Sequence, residues 1–250
     1  MVRVLARMRR KPGMSSTMRG ILARMTPSPR DAGRAPRIAL IHALSHSLAP
    51  INDAMRRDWP EATCMNVLDD SLSADLARTG ELDAAMTQRF QTVASYALST
   101  GAQGILFTCS AFGPCIEAVA RLHARVPVLK PNEAMIDEAV AHQRQYGGSI
   151  GLLASFIPTL QSMPGEFPAG IKLLTAYAEG AMDALNRGDI AAHDAAAVAA
   201  AKQLAAQGCS VIALAQFSLA RAAPLVAAAT GLPVLTTVDS AVRRLKALLA

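Results

Sequence analysis

The sequence predicts an α/β fold of two pseudo-symmetric lobes, each a parallel sheet flanked by helices, with an active-site cleft between them. Three features predict it. From Arg37 onward, short β-branched and aliphatic runs alternate with longer helical stretches, the pattern of parallel sheets covered on both faces. The pattern then recurs: Ile105-Leu106-Phe107-Thr108-Cys109-Ser110 is echoed by Ile212-Ala213-Leu214-Ala215-Gln216-Phe217, and Val126-Pro127-Val128-Leu129 by Leu232-Pro233-Val234-Leu235. Their offsets, 107 and 106 residues, keep the two matches in register, as two similar lobes would. Finally, 250 residues at 52% hydrophobic and 18% charged leave ample material for buried cores and exclude a disordered polar chain.

Taken in order, residues 37–43 read as a first buried strand and 48–59 as a helix ended by Pro60. Thr63–Leu68 is a second strand, with Asp70 or Ser71 able to cap the segment after it. A long amphipathic helix covers 81–99. Residues 104–108 form a third strand, 114–124 a helix with Pro114 in its first turn, and 126–129 a fourth strand. Residues 132–144 are helical, and Gly147-Gly148 turn the chain into a fifth strand, Ser149–Ala154. Pro158, Pro164 and Pro168 then space a segment that serves as either a lid or a rigid connection. A strand near 172–175 precedes an Ala-rich helix over 190–207. Strand 211–215, another helix, strand 233–236 and a closing helix 240–249 finish the chain. The implied division puts 37–131 with 235–250 in the first lobe and 132–234 in the second.

The formal charge of +6 invites a nucleic-acid or membrane-surface reading, but the charges are not spread evenly. Residues 1–36 hold nine Arg or Lys against Asp31 alone, which leaves the remaining 214 residues at −2. This basic, Pro-broken leader lacks Phe, Tyr and Trp, so it has nothing on which to stack bases. It reads as a disordered, solvated extension or an overlong start; an organelle transit peptide is the functional alternative. No apolar run approaches the ~20 residues of a transmembrane helix. The expectation is a cytoplasmic protein with no nucleic-acid or membrane partner.

Cys64, Cys109, Cys115 and Cys209 show no paired spacing, which argues for reduced thiols over a disulfide framework. His42 and His46 lack the helix and nearby ligands of a zinc site, and no metal site is expected. Neither GxGxxG nor GxxxxGK[ST] occurs. In open parallel sheets ligands sit beyond the carboxyl ends of the strands, so the candidate residues are those at the strand ends. Cys109 ends a strand and precedes a helix start, where free amides attract anions and lower a thiol's pKa. As a small buried hydrophobe it would need no function. Cys64 and Cys209 read as core, Cys115 as a helix residue. Ser45, Ser110, Ser155, Phe156, Phe217 and Ser218 fall at strand ends or their loops and are candidate substrate-binding residues, while the serines serve equally as caps or turn formers.

The turn FTCSAFG (residues 107–113), its echo LAQFSLA (214–220), and the segments VLDDSLS (67–73) and LKPNEA (129–134) resemble the aspartate/glutamate/hydantoin racemase superfamily, which includes arylmalonate decarboxylase and maleate isomerase. The resemblance runs from Arg37 to the C-terminus, in a branch apart from the founding racemases. It implies an enzyme without cofactors, a homodimer, whose two cysteines face each other across a small carboxylate. One thiolate takes a proton α to the carboxylate and the other thiol returns one on the opposite face. The first thiol maps onto Cys109; the second position holds Gln216, which cannot gain or lose a proton near neutral pH. His42, at the end of the first strand, is the candidate replacement base, with a hydrogen-bonded structural role as its alternative. The catalytic set expected is therefore Cys109, Gln216 and His42. The implied function is a racemase- or isomerase-like enzyme acting on a small carboxylate. A one-thiol decarboxylase of malonate-type acids and a non-catalytic carboxylate-binding protein are its alternatives.

Overall fold

The alternation of short apolar runs and helices folds into two separate four-stranded sheets. The computed structural model describes residues 35–249, so the basic leader lies outside the described residues apart from Ala35 and Pro36. The first sheet is built from β1 (Arg37–His42), β2 (Thr63–Leu68), β3 (Gly104–Phe107) and β4 (Val128–Leu129), in the order β2-β1-β3-β4. The second holds β5 (Ser149–Ala154), β6 (Leu173–Tyr177), β7 (Cys209–Leu214) and β8 (Val234–Thr236), in the order β6-β5-β7-β8. Every pairing is parallel, and the second order is the first shifted by four strands. The duplication read from the sequence is thus a duplication of topology.

Among the described residues ten helices cover the sheets: α1 (Leu48–Asp58), α2 (Ser71–Thr79), α3 (Ala84–Ser99), α4 (Gly113–Leu122), α5 (Glu133–Tyr146), α6 (Ile157–Ser162), α7 (Ala181–Asn186), α8 (Ile190–Ala206), α9 (Ala223–Thr230) and α10 (Thr237–Leu249). Side chains alternate across each strand, so each sheet feeds two cores. Ala39, Ile41, Ile105 and Phe107 face α3 and α4, whereas Ile38, Leu40 and Leu106 face α1 and α10. In the second sheet Leu153, Ile212 and Leu214 meet α8 and α9, while Ile150, Leu152, Val211 and Ala213 meet α5. None of the helices described is long and apolar enough to cross a membrane.

The departures from expectation are local. Helix α3 begins three residues later than its periodicity suggests, because the Asp83 carboxylate accepts the Met86 N–H at 2.7 Å and caps it there. Helix α10 begins three residues earlier than expected. Thr236 Oγ1 accepts the Asp239 N–H at 2.9 Å and donates to the Asp239 carboxylate at 2.8 Å. Helix α7 is not signalled by any periodicity; the Gly180 turn, at φ +74°, starts it. The proline-spaced segment is pinned: Met163 and Phe167 are buried in the core with Ile136 and Val140 of α5, the packing of a fixed wall.

Chain passages between the sheets set the relation of the lobes. Helix α5 leaves the first sheet and packs on the second, whereas α10 leaves the second and packs on the first through Val238, Ala241, Val242 and Leu245. The two helices meet: Arg243 pairs with Glu138 at 2.5 Å, Arg244 with Asp137 at 2.6 Å, and the Ser240 hydroxyl donates to Glu138 at 2.7 Å. The turn Ser45–Ser47 after β1 touches the turn Phe217–Ala222 after β7, so the carboxyl ends of these two strands are brought together.

Candidate active site

Strand β3 runs out at Phe107, and two residues later Cys109 stands in extended conformation (φ −125°, ψ 119°) before a short 3-10 turn, Ser110–Phe112. The turn aims the Ala111 N–H at the sulfur, which favours the thiolate, but burial opposes it more strongly and the thiol is pushed up from its ordinary value near 9. The expectation that helix-start amides depress this thiol is therefore corrected. Ile41, Ala43, Leu72, Phe90 and Phe107 line a tight apolar space beside it, and the half-buried sulfur keeps little contact with water. At neutral pH Cys109 holds its proton.

His42 borders the same small space but is fully engaged. Its Nδ1 lies 2.9 Å from Thr108 Oγ1 and its Nε2 2.9 Å from Asn66 Oδ1, and the ring is buried. With a carbonyl oxygen facing Nε2, that nitrogen carries the proton and Nδ1 accepts from the Thr108 hydroxyl. Asn66 is held in turn by Asn52, whose Nδ2 donates to it at 2.9 Å. Burial lowers the pKa of His42 below 6.5, with the Asn66 contact only partly opposing this. The imidazole is neutral, and it fixes the residue that precedes Cys109.

The equivalent turn of the second lobe carries Gln216, in extended conformation (φ −140°, ψ 147°) after β7. Its Oε1 accepts the Ser155 N–H at 2.6 Å and the Ser155 hydroxyl at 3.0 Å. Ser155 is buried immediately after β5, the neighbouring strand, so the two central strands of this sheet share one polar lock. Two bonds to one oxygen orient the amide and turn its NH2 away from Ser155.

The remaining candidates separate. Ser45 and Ser218 line a cavity of about 560 Å³ with His46, Asp53, Arg57, Arg221 and Asp239; neither Cys109 nor Gln216 lines it. Its arginines are committed to carboxylates, Arg57 to Asp58 and Asp239, and Arg221 to Asp194. Phe217 is buried among Ile51, Met55 and Val238, where it fastens the second lobe to α1 and α10. Ser110 is half-buried beside Cys109, and Phe156 is exposed directly after Ser155. No group of three or more His, Cys, Asp or Glu among the described residues is arranged to hold a metal.

Two polar residues escaped the sequence reading. Asn132 Oδ1 and Thr237 Oγ1 are buried and find no hydrogen-bond partner among the described residues. They follow β4 and β8, at the same strand ends as Cys109 and Gln216. The repeated Val-Pro-Val-Leu and Leu-Pro-Val-Leu strands are the signal that would have led to both.

Comparison with known proteins gives two findings and one absence. The model of a family described as Asp/Glu/hydantoin racemase matches residues 46–245. Among solved structures, a glutamate racemase from Bacillus anthracis superposes with a TM-score of 0.64 at 13% identity, covering 86% of this chain and 82% of that one. An allantoin racemase from Klebsiella pneumoniae gives 0.59 at 16% identity, covering 86% and 87%. The Gly74Cys mutant of arylmalonate decarboxylase gives 0.57 at 17% identity, covering 86% and 95%. These likenesses are of fold. No curated protein matches the chain by sequence.

Proposed function

The chain belongs to the Asp/Glu/hydantoin racemase family, and from that premise we propose that it performs racemase- or isomerase-type proton transfer beside the carboxylate of a small acid, with Cys109 as its titrating group. The lock between Ser155 and Gln216 supports this reading most directly. With its oxygen held by Ser155, Gln216 offers a hydrogen-bond donor, not a second thiol, at the strand end equivalent to that of Cys109. In this scheme the Cys109 thiol first gives its proton to solvent; the sulfur then takes the α-proton and the electron pair moves into the carboxylate, giving an enediolate. The Gln216 NH2, the Ser110 hydroxyl and the unpaired Thr237 hydroxyl stabilise the oxygens as charge develops there. The same sulfur then returns a proton exchanged with solvent. His42 acts as a positioning residue, holding Thr108 and so the sulfur.

One thiol works on one face. Deuterium from solvent should therefore enter the α-position faster than optical purity is lost, when a panel of amino, hydroxy and dicarboxylic acids is followed by proton NMR and polarimetry. Cys109→Ala should abolish exchange, and Gln216→Cys should raise inversion relative to exchange. Exchange that survives Cys109→Ala would sink the assignment.

A second reading, decarboxylation of a malonate-type acid, is favoured by the raised thiol, since a protonated sulfur can donate directly to the carbanion left by carbon dioxide. Carbon dioxide release without exchange in the same panel selects it. Tight binding with neither outcome marks a carboxylate-binding protein.

A further inference from the structure

Glu166 ends the short 3-10 turn Met163–Glu166 of the proline-spaced segment, whose Met163 and Phe167 are buried with Ile136 and Val140 of α5. Asn132, the residue before α5, meets it: Asn132 Nδ2 donates to Glu166 Oε1 at 3.3 Å. Asn132 is only 2% exposed, and its Oδ1 finds no hydrogen-bond partner among the described residues. A carboxamide presents a donor and an acceptor side by side. An ionised carboxylate can only accept, so it serves Nδ2 and leaves Oδ1 stranded in a buried place. A protonated carboxyl complements both halves: its carbonyl accepts from Nδ2 while its O–H donates to Oδ1.

The surrounding charges favour the same form. The cation that faces Glu166 is Lys130, just after β4, and it is already shared. Its Nζ lies 2.8 Å from Glu117 of α4 and 3.3 Å from Glu133 of α5. Three carboxyl groups thus draw on one ammonium. Desolvation pushes the Glu166 carboxyl up from its ordinary value near 4.5; Glu133 and Glu117 add to the rise, while Asn132 and Lys130 oppose it. The stranded amide oxygen and the crowded lysine are separate observations, and both are answered by one proton.

We propose that Glu166 and Asn132 form a proton-dependent brace, in which the acid form of Glu166 closes a paired hydrogen bond on the Asn132 amide and loss of the proton opens it. The brace ties the proline-spaced segment to the point where the chain leaves the first sheet. That segment follows directly on Ser155 and Phe156, so it bears on the stretch of chain that locks Gln216. A carboxyl whose folded value is raised contributes stability that is complete below 4.5 and is lost as pH rises through the folded value. The direction is opposite to that of His42, whose contribution is lost as pH falls.

Amide hydrogen exchange of the full chain, followed by NMR, needs no substrate and reads the brace at Thr159, Phe167 and Ile171. Their N–H groups donate to Phe156, Pro164 and Pro168 within the segment. Corrected for intrinsic base catalysis, their protection should fall at least about threefold between pH 5 and pH 8 as the folded carboxyl ionises. Glu166→Gln, whose amide keeps a donor and an acceptor at every pH, should hold the acid-side protection throughout. Asn132→Ala should show the lower protection already at pH 5; if it does not fold, the Gln variant decides alone. Carbon-13 NMR of the Glu166 carboxyl, identified by its loss in Glu166→Gln, should place its midpoint above 4.5. Protection that does not change with pH, a decline that persists in Glu166→Gln, or a midpoint at or below 4.5 would each overturn the proposal. A decline shared equally by the amides of β5 and β7 belongs to the whole lobe and also overturns it.

Discussion

At the scale of single residues, His42 shows how burial chooses a protonation state. The folded ring titrates below its unfolded value near 6.5, because burial excludes water and the Asn66 contact opposes this only in part. Between the two values the unfolded chain binds more protons than the folded one, so stability is complete above about 6.5 and declines as pH falls toward the folded value. Urea unfolding from pH 5 to pH 8 should show that decline in the native chain and lose part of it in His42→Asn. An identical slope in both would show that the ring does not titrate as described. Cys109 obeys the same physics with the opposite sign of charge: burial keeps its acidic proton on. The sequence showed the thiol at its turn but not this direction, since the residues that dehydrate it come from β1, α2 and α3, far apart along the chain. Contact between Ser155 and Gln216 was hidden likewise, by a separation of 61 residues.

At the scale of elements, local chemistry was legible where it sufficed by itself. The strands Thr63–Leu68 and Ser149–Ala154 fall where their apolar runs place them. Helix ends moved by a turn where a side chain capped the backbone, as Asp83 does for α3. The turn Gly147-Gly148 is legible for a steric reason: Gly148 sits at φ +81°, and an added Cβ would lie 2.7 Å from the Cβ and hydroxyl of Ser210. Gly148→Ala should therefore cost roughly 1–3 kcal/mol through left-handed strain and the forced shift of Ser210. Denaturant titration reads that loss, and Gly170→Ala, also at positive φ but with open space around it, is the control for strain alone. What the elements did not disclose is the role of the proline-spaced segment. Its anchors, Met163 and Phe167, acquire meaning only once α5 lies over them.

At the scale of the whole molecule, the internal echo made the two sheets legible, while the contacts between them depended on departures from it. Phe217 occupies the place of Ser110 in the repeat, yet its ring is buried against α1 and α10 of the other lobe. Phe217→Ala should destabilise the protein by about 3–5 kcal/mol, since it empties a packed site at the junction. Unfolding followed by heat should remain a single transition if the lobes depend on each other, and split in two if they do not. The crossed helices α5 and α10 also have a mechanical meaning. The backbone passes between the sheets twice, and the passages lie side by side, clasped by Arg243 on Glu138 and Arg244 on Asp137. That one clasp, with Phe217 packed between α1 and α10, carries the load that holds the two sheets in a single arrangement.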